Sequence, residues 1–532
     1  MQCRSLSENM EFKNLLRFMV VMCFPFMCFG ERILVLLPLG SKSHMLALMP
    51  VVEALAQKGH NLTIVSGYKS ATDINNIHEI QITSIDEILE RVKVNWFETQ
   101  KEDSLTQLKT MMMSLPHTIK FGYEQIMRHP EFQTILLERN VDLVIVDAIV
   151  SELTFPIIEH LGVPFIFHCS SLGIPWAAAA LEAMGADLNY AAVPFPTTGF
   201  DDMMTFGQRL FNLRMAETFR SLRQSYAFDV LDAHVKKDFP NASPTANIMK
   251  KASLVLVNSH VTTDWPRSIP PTVIPIGAVH ARPAKQLPLQ LKQIADEAND
   301  GFIVFTLGSM IKATSIPPVT LQIFLRVFSK IPQTVIWKWE GEVSEATPPN
   351  VVMANWLPQQ DLLGHPNAKL FMTHGGMLGI QETIYHAVPI LGFPFCNDQK
   401  SNMAMAIKQG FGLKIDWDRI DDDLLYNSIT AIINEASFKR NASRLSMLMH
   451  DQLVPGTDLA IYWIEHVLRH GGTKHLQVAS KDVPFYQRYL VDVVLFLVGI
   501  LTFMLIFISR MIRFSVRQFA RKMPIKLKRK QH

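Results

Sequence analysis

His374-Gly375-Gly376 stands between a short apolar run, residues 369–373, and a stretch of helical spacing that begins near Leu378. A glycine pair at a strand-to-helix turn lets a ligand approach the backbone. The helix start behind it offers free N–H groups and the positive end of the helix dipole. That is chemistry for an anion, and His374 adds a side-chain donor at the same place. Glu382, further along the helix, can accept from hydroxyls. A second apolar run, residues 388–392, leads into Phe395-Cys396-Asn397-Asp398-Gln399 and sets two more polar side chains beyond a strand's end. Residues 355–402 therefore read as a cradle for a phosphorylated, hydroxyl-rich ligand. Gly308-Ser309, closing the run 301–309, is a second small-residue contact for phosphate.

The first half offers different chemistry. His44 follows a buried-strand pattern, residues 32–38, and the turn Gly40-Ser41-Lys42-Ser43. Residues 45–58 then have helical apolar spacing and stop at Gly59, a favourable C-cap. Asp147 ends another apolar run, residues 142–147. In a doubly wound sheet ligands gather at the carboxyl ends of the strands, and both residues fall there. A carboxylate can hold one imidazole N–H and leave the other ring nitrogen to accept a proton. His44 and Asp147 are thus a candidate base and its orienting partner. The plainer readings are a surface histidine in a loop and a helix N-cap.

The elements that must carry these groups alternate. Apolar runs at 61–65, 162–168 and 253–258 continue the first sheet. Runs at 301–309, 333–338, 351–355, 369–373 and 388–392 build a second. Strand alternating with helix predicts α/β units with parallel sheets. A chain of 532 residues, 48% apolar and 19% charged, is too long for one ordinary domain and rich enough to bury large cores. A proline-rich stretch, 269–288, reads as a semi-rigid linker. The expected division is a first domain over residues 31–275, a linker over 276–300, and a second domain over 301–485 closed by helices at 421–435 and 437–471. Met- and aromatic-rich segments at 96–128 and 176–226 are candidates for an adaptable apolar pocket or a membrane-facing surface, ordinary core helices being the plainer reading.

Residues 1–30 read as a secretory signal peptide. Lys13 and Arg17 precede an apolar run, and Cys28 and Gly30 sit at the −3 and −1 positions of a cleavage site. Residues 490–509 are long and apolar enough to cross a bilayer, with Tyr486 and Tyr489 where interfacial aromatics belong. Residues 510–532 follow as a tail with nine Lys or Arg and no acid, so the chain's net +3 becomes −6 for everything before it. That excludes a nucleic-acid-binding body. The positive-inside rule puts the tail in the cytosol and the body in the lumen. Lys528 and Lys530 resemble a dilysine retrieval signal, with a lipid-binding basic patch as the alternative. Cys169 and Cys396 lie far apart and give neither a disulfide framework nor metal spacing. Asp201-Asp202 and Asp421-Asp422-Asp423 read as solvated acids, and neither metal nor cofactor is expected. Of the sequons at Asn61, Asn241 and Asn441, Asn441 is favoured for glycosylation: Asn61 opens a buried strand, and Pro244 follows the Asn241 sequon.

Residues 355–402, from Asn355-Trp356-Leu-Pro-Gln359 through His374-Gly-Gly376 to Asp398-Gln399, resemble the signature of the UDP-glycosyltransferases. That group holds the microsomal glucuronosyltransferases and their insect relatives. The likeness extends through the turn before His44, Asp147, Gly308-Ser309 and both chain ends, and looks more insect than vertebrate. It implies a GT-B fold: two Rossmann-like domains facing a cleft, the first for an acceptor and the second for a UDP-sugar. It implies Trp356 stacked on uracil with Gln359 at the ring's edge. Ser309, His374, Gly375 and Gly376 would hold the diphosphate, Glu382 the ribose hydroxyls, and Asp398 and Gln399 the sugar. His44 would be the general base and Asp147 its partner. The implied reaction is inverting transfer of a hexosyl group, glucose in preference to glucuronate, to a hydroxyl of a small lipophilic acceptor. The implied place is the endoplasmic reticulum membrane, with luminal domains, a single span, and homo- or hetero-oligomers possible. Leu378 stands where the vertebrate pattern has Asn, which removes one polar contact to phosphate. Lys338 and Arg282 are the candidate cations for a glucuronate carboxylate.

Two rivals share parts of this reading. A UDP-sugar epimerase or hydrolase of the same architecture needs no acceptor base. A catalytically silent, membrane-anchored UDP-sugar-binding protein needs none of His44, Asp147 and Asp398. All three are present, which favours transfer.

Overall fold

The computed structural model describes residues 30–91, 95–343 and 345–522. The signal-peptide reading and the lysines at 528 and 530 fall outside them. The described chain divides into two compact units, one ending at Gln477 and one starting at Val478.

The first unit holds two wholly parallel sheets. The first sheet comprises β1 (Arg32–Leu37), β2 (Asn61–Ser66), β3 (Ile77–Gln81), β4 (Leu143–Asp147), β5 (Phe165–Cys169), β6 (Leu254–Val257) and β7 (Val273–Pro275), in the order β3-β2-β1-β4-β5-β6-β7. The second comprises β8 (Phe302–Thr306), β9 (Thr334–Lys338), β10 (Val351–Ala354), β11 (Ala368–Thr373), β12 (Ile390–Gly392) and β13 (Gly412–Lys414), in the order β10-β9-β8-β11-β12-β13. Central strands such as β4 and β8 are buried at every position. Helices cover both faces of such a sheet, so its strands read as unbroken apolar runs. In each sheet the order reverses at one pair, β1 beside β4 and β8 beside β11. Loops leaving these strands diverge and open a crevice at their carboxyl ends.

β3, β7 and β13 were not expected from the sequence, and all three are edge strands. They are short or partly polar, and β7 lies inside the proline-rich stretch expected to be linker. The helix expected over 437–471 is two helices, Ala436–His450 and Gly456–His470, broken before Pro455. The second of these returns to the first sheet. Ala460, Ile461, Ile464 and Val467 share a core with Ile33, Val35 and Leu55, and Lys58 pairs with Glu465 at 3.1 Å. The segment expected to close the second domain therefore caps the first.

The crossing also runs the other way. The helical turn Trp96–Thr99, in the first half of the chain, buries Phe97 edge-on against Phe395 and Trp417, with ring centroids 5.0 and 4.9 Å apart. Phe97 belongs to the core of the second sheet.

The second unit contains the helix Val491–Lys522, whose large apolar side chains are exposed. Residues 491–509 rise about 29 Å as a helix, close to the hydrocarbon thickness of a bilayer. Arg510, Arg513, Arg517 and Arg521 then continue the same helix beyond that length.

Phe97→Ala removes two edge-to-face aromatic contacts and leaves a cavity in the second core. It should cost about 3 kcal/mol or more and lower the thermal unfolding midpoint of the purified protein. An unchanged midpoint would show that the Trp96–Thr99 turn contributes nothing to that core.

Candidate active site

Both switch points carry the predicted polar groups. Three residues after β1, Gly40 enters the turn that starts the helix Lys42–Gln57, and His44 lies in that helix's first turn. Asp147 is the last residue of β4. Because β1 and β4 are paired in register, the two side chains meet: His44 Nδ1 is 2.8 Å from Asp147 Oδ2, and both are buried. A Cβ on Gly40 would stand 2.9 Å from Asp147 Oδ2 and 3.3 Å from the Cβ of His44. Gly40 thus leaves room for the carboxylate to pass. Ser170, just beyond β5, places Oγ 3.3 and 3.2 Å from the two nitrogens of His44. Its hydroxyl therefore lies within hydrogen-bond reach of either ring nitrogen.

Burial would lower the pKa of His44. The charge and hydrogen bond of Asp147, with the charge of Asp398, outweigh burial and raise it above the ordinary 6.5. Asp398 belongs to the second sheet's side of the cleft, at the N-cap of the helix Gln399–Lys408. Burial pushes its carboxyl up to about 6, opposed by a hydrogen bond from Asn402 Nδ2 at 2.7 Å and by the charge of His44. Asn402 also donates to Gly375 O at 3.0 Å. A Cβ on Gly173 would meet the Cβ of Asp398 at 2.7 Å. The loop after β5 and the start of the helix Gln399–Lys408 therefore pack directly together.

The anion cradle forms at the other switch point. His374-Gly375-Gly376 follows β11 and leads into the helix Met377–Tyr385, whose start has no side-chain cap. The His374 ring lies between two glycines: a Cβ on Gly308 would be 2.5 Å from its Cε1, and one on Gly376 2.6 Å from its Nε2. Gly308 and Gly375 both have positive φ, which bars most other residues. Burial first, then the charge of Lys338, hold His374 down at about 4, so it is neutral. Ser309 lies exposed in the turn after β8.

Trp356 is 56% exposed, and Lys42 Nζ sits 4.0 Å from its ring centroid. Gln359 Nε2 donates to Glu382 Oε2. Burial raises Glu382 to about 7 against that hydrogen bond. Lys338 donates to Gly308 O and Glu340, and Arg282 is forked on Asp361. Gln399 is tied differently from expectation: its Oε1 accepts from the backbone N–H of Phe395 at 2.7 Å and of Cys396 at 3.3 Å, which fixes the loop. The favoured sequon residue, Asn441, lies inside the helix Ala436–His450 with Nδ2 donating to Gly410 O at 2.9 Å, whereas Asn241 lies in an exposed turn.

Sequence reading did not single out Ser170, Asn402, Lys42 facing Trp356, or a polar seam between the halves. In that seam Gln381 Nε2 donates to Asn258 O at 2.9 Å, and Asn258 Nδ2 donates to Gln381 Oε1 at 3.1 Å. Ser170 and Asn258 each directly follow the carboxyl end of a strand, the end of the sheet at which His44 was also read.

Two doubly wound parallel sheets, with a base–carboxylate pair at one switch point and a glycine-and-histidine cradle at the other, define a glycosyltransferase of the GT-B class. Solved structures share the fold. A kitacinnamycin glycosyltransferase matches with a TM-score of 0.57 at 18% identity, over 82% of this chain and 99% of its own. The calicheamicin glycosyltransferase CalG4 matches at 0.53 and 14%, over 83% and 99%. A profile of the UDP-glucoronosyl and UDP-glucosyl transferase family matches residues 32–526, and the chain belongs to that family. It is similar to the UDP-glycosyltransferase UGT5 of Dactylopius coccus, 30% identical over 94% of this chain and 95% of the relative. The human UDP-glucuronosyltransferase 2A3 is also 30% identical, over 90% and 92%. The protein is a UDP-glycosyltransferase, and its C-terminal apolar helix fits membrane anchoring.

Gly40→Ala drives a methyl group against Asp147 Oδ2 and should tilt the carboxylate away from His44. A displacement of about 1 Å in a catalytic pair costs about a hundredfold. The expected result is a fall of that order in kcat, with UDP affinity unchanged in a binding titration. Wild-type turnover in the variant would show that the carboxylate needs no such clearance.

Proposed function

We propose that the protein transfers a hexosyl group from a UDP-sugar, with inversion, to the hydroxyl of a small lipophilic acceptor, and that His44 is the general base. The observation carrying this reading is the buried 2.8 Å contact between His44 Nδ1 and Asp147 Oδ2. With Nδ1–H donated to the carboxylate, Nε2 keeps its lone pair for the acceptor's proton. The acceptor oxygen attacks the anomeric carbon opposite the diphosphate. The bond to UDP breaks as the new C–O bond forms, the proton passes to Nε2, and UDP leaves with the electron pair. One displacement inverts the anomeric centre.

Negative charge grows on the diphosphate as it leaves. The uncapped N–H groups at the start of the helix Met377–Tyr385, with Ser309 and the neutral His374, are the donors for it. Backbone donors take the place of the polar side chain missing at Leu378, and Gly375 and Gly376 let the phosphates approach. Trp356 is the uracil platform, and stacking on the face that Lys42 covers displaces that lysine. Glu382, with Gln359, serves the ribose hydroxyls and uracil edge. Asp398 and the free amide of Gln399 serve the sugar. Arg282 and Lys338 are both engaged within the protein, which favours UDP-glucose over UDP-glucuronate. The chemistry proposed needs neither metal nor cofactor. The same reading places the catalytic unit in the lumen of the endoplasmic reticulum, on a single span with a cytosolic basic tail, and makes Asn241 the preferred sequon. A silent binding protein is disfavoured, because an idle site has no need of a base aligned on a buried carboxylate.

Membranes expressing the protein, supplied with UDP-glucose or UDP-glucuronate and a panel of phenols, should yield the glucoside in preference. Protein that binds UDP yet transfers neither sugar sinks the reading. His44→Ala should abolish turnover and leave UDP binding intact; lost binding would make His44 structural.

The base must be neutral to act. Because its pKa is raised, kcat/KM should climb with pH through a midpoint above 6.5, and a midpoint below that value contradicts the assignment. Trp356→Ala should weaken UDP binding by about ten- to a hundredfold, the range for loss of one base-stacking contact. Unchanged affinity would remove uracil from Trp356.

A further inference from the structure

One buried titratable side chain beside the catalytic pair has no part in the transfer as described. Asp147 of β4 pairs in register with His168 of β5, and directly paired residues of parallel strands project to the same side of the sheet. Val144, Val146, Phe165 and Phe167 face one core. Leu143, Ile145 and Ile166 face the other, which they share with the helix that carries His44. Alternation therefore turns Asp147 and His168 toward the same layer as His44. His168 is fully buried. Among the described residues neither of its ring nitrogens has a hydrogen-bond partner, nor does Asp147 Oδ1, also buried.

Burial holds His168 down at about 4, with the charge of Asp147 opposing and that of His44 assisting. It is therefore a neutral imidazole with one N–H to give. A buried donor and a buried carboxylate oxygen are each costly to leave unmade. The titratable groups acting on them are His44 and Cys169, while Asp398, from the second sheet's side of the cleft, acts on His44. Of these His44 already uses Asp147 Oδ2, and burial raises the Cys169 thiol well above its ordinary value.

We infer that His168 is a positioning residue whose N–H serves Asp147 Oδ1, directly or across one water, so that His44, Asp147 and His168 form one buried array. A donor on Oδ1 fixes the carboxylate with Oδ2 toward His44. It also withdraws charge from the carboxylate, so Asp147 raises the pKa of His44 less than it otherwise would. The base then stays neutral down to a lower pH. His168 touches neither substrate nor reacting atoms and acts only through Asp147.

This inference rests on His44 being the base, so wild-type turnover and its pH profile are the first control; their failure sinks that reading, not this one. The test compares His168→Gln and His168→Met in the full-length protein. The two replacements have similar volume, and only Gln keeps an N–H donor. Both should bind UDP as wild type does. His168→Gln should stay close to wild type in kcat and in the midpoint of the acid limb. His168→Met should lose about tenfold or more in kcat, the scale for removing a partner behind a catalytic group, and its midpoint should move to higher pH. A Met variant equal to or better than the Gln variant, or a midpoint that does not move, overturns the inference. Should the Met variant not fold, His168→Ala with added imidazole decides: rescue of kcat and midpoint supports the array, and no rescue overturns it.

Discussion

A carboxylate buried at the end of a central parallel strand is the constraint on which the first half turns. Asp147 closes β4 with no side-chain exposure. A charge in such a place is costly unless it is paired and hydrogen-bonded. The partner must come from a neighbouring strand's outgoing loop, because only those loops reach the same depth. β1 is that neighbour, and its turn delivers His44. The turn needs Gly40, since any side chain there would occupy the space of the carboxylate. The site is in this sense a consequence of strand order: exchange β4 with any other strand, and the histidine and the acid no longer meet.

The two site histidines show how environment divides one residue type into two roles. His44 is buried, yet the charge and hydrogen bond of Asp147 and the charge of Asp398 outweigh that burial and raise its pKa above the ordinary 6.5. His374 is packed between Gly308 and Gly376 with Lys338 nearby, and burial holds it neutral at about 4. A neutral His374 brings no net charge to an anion. Attraction at that switch point must come from oriented N–H groups, and the N-cap residue there is Gly376, which has no side chain to occupy them. The two site carboxylates are shifted alike: burial pushes Glu382 to about 7 and Asp398 to about 6, where each can donate or accept toward a hydroxyl.

What the sequence made legible follows from the range of the interactions involved. Central strands are covered on both faces and announce themselves as apolar runs, so all of them were read. β3, β7 and β13 are edges, half-wet and short, and carry no such signal. The glycine–histidine cradle is contiguous, and its chemistry could be read in place. The pairing of His44 with Asp147 spans 103 residues and was expected only through strand ends and resemblance. Lys42 over Trp356, Phe97 in the far core and the helix Gly456–His470 on the first sheet are contacts between distant segments, each ordinary in its own local sequence. The amide contact of Asn441 with Gly410 is of the same kind, set by helix packing rather than by its neighbours in sequence.

A cleft enzyme must also fix the separation of base and donor, and here polar contacts carry that duty. Asn258 and Gln381 are both fully buried and exchange two hydrogen bonds across the halves. His280 extends the seam. Burial lowers it to about 4, so it is neutral, close to Asn258 on one side and to Leu378 O on the other. Apolar area alone would permit the halves to slide, since burial is indifferent to direction. Amide pairs are not, because a shift of a bond length leaves buried donors unmade. The same strand end that supplies Asn258 adjoins Ser170, whose carbonyl accepts from Asn258 and whose hydroxyl lies against His44. The seam that holds the two sheets in register is thus one residue removed from the base, so a shift of the halves would reach His44 through Ser170.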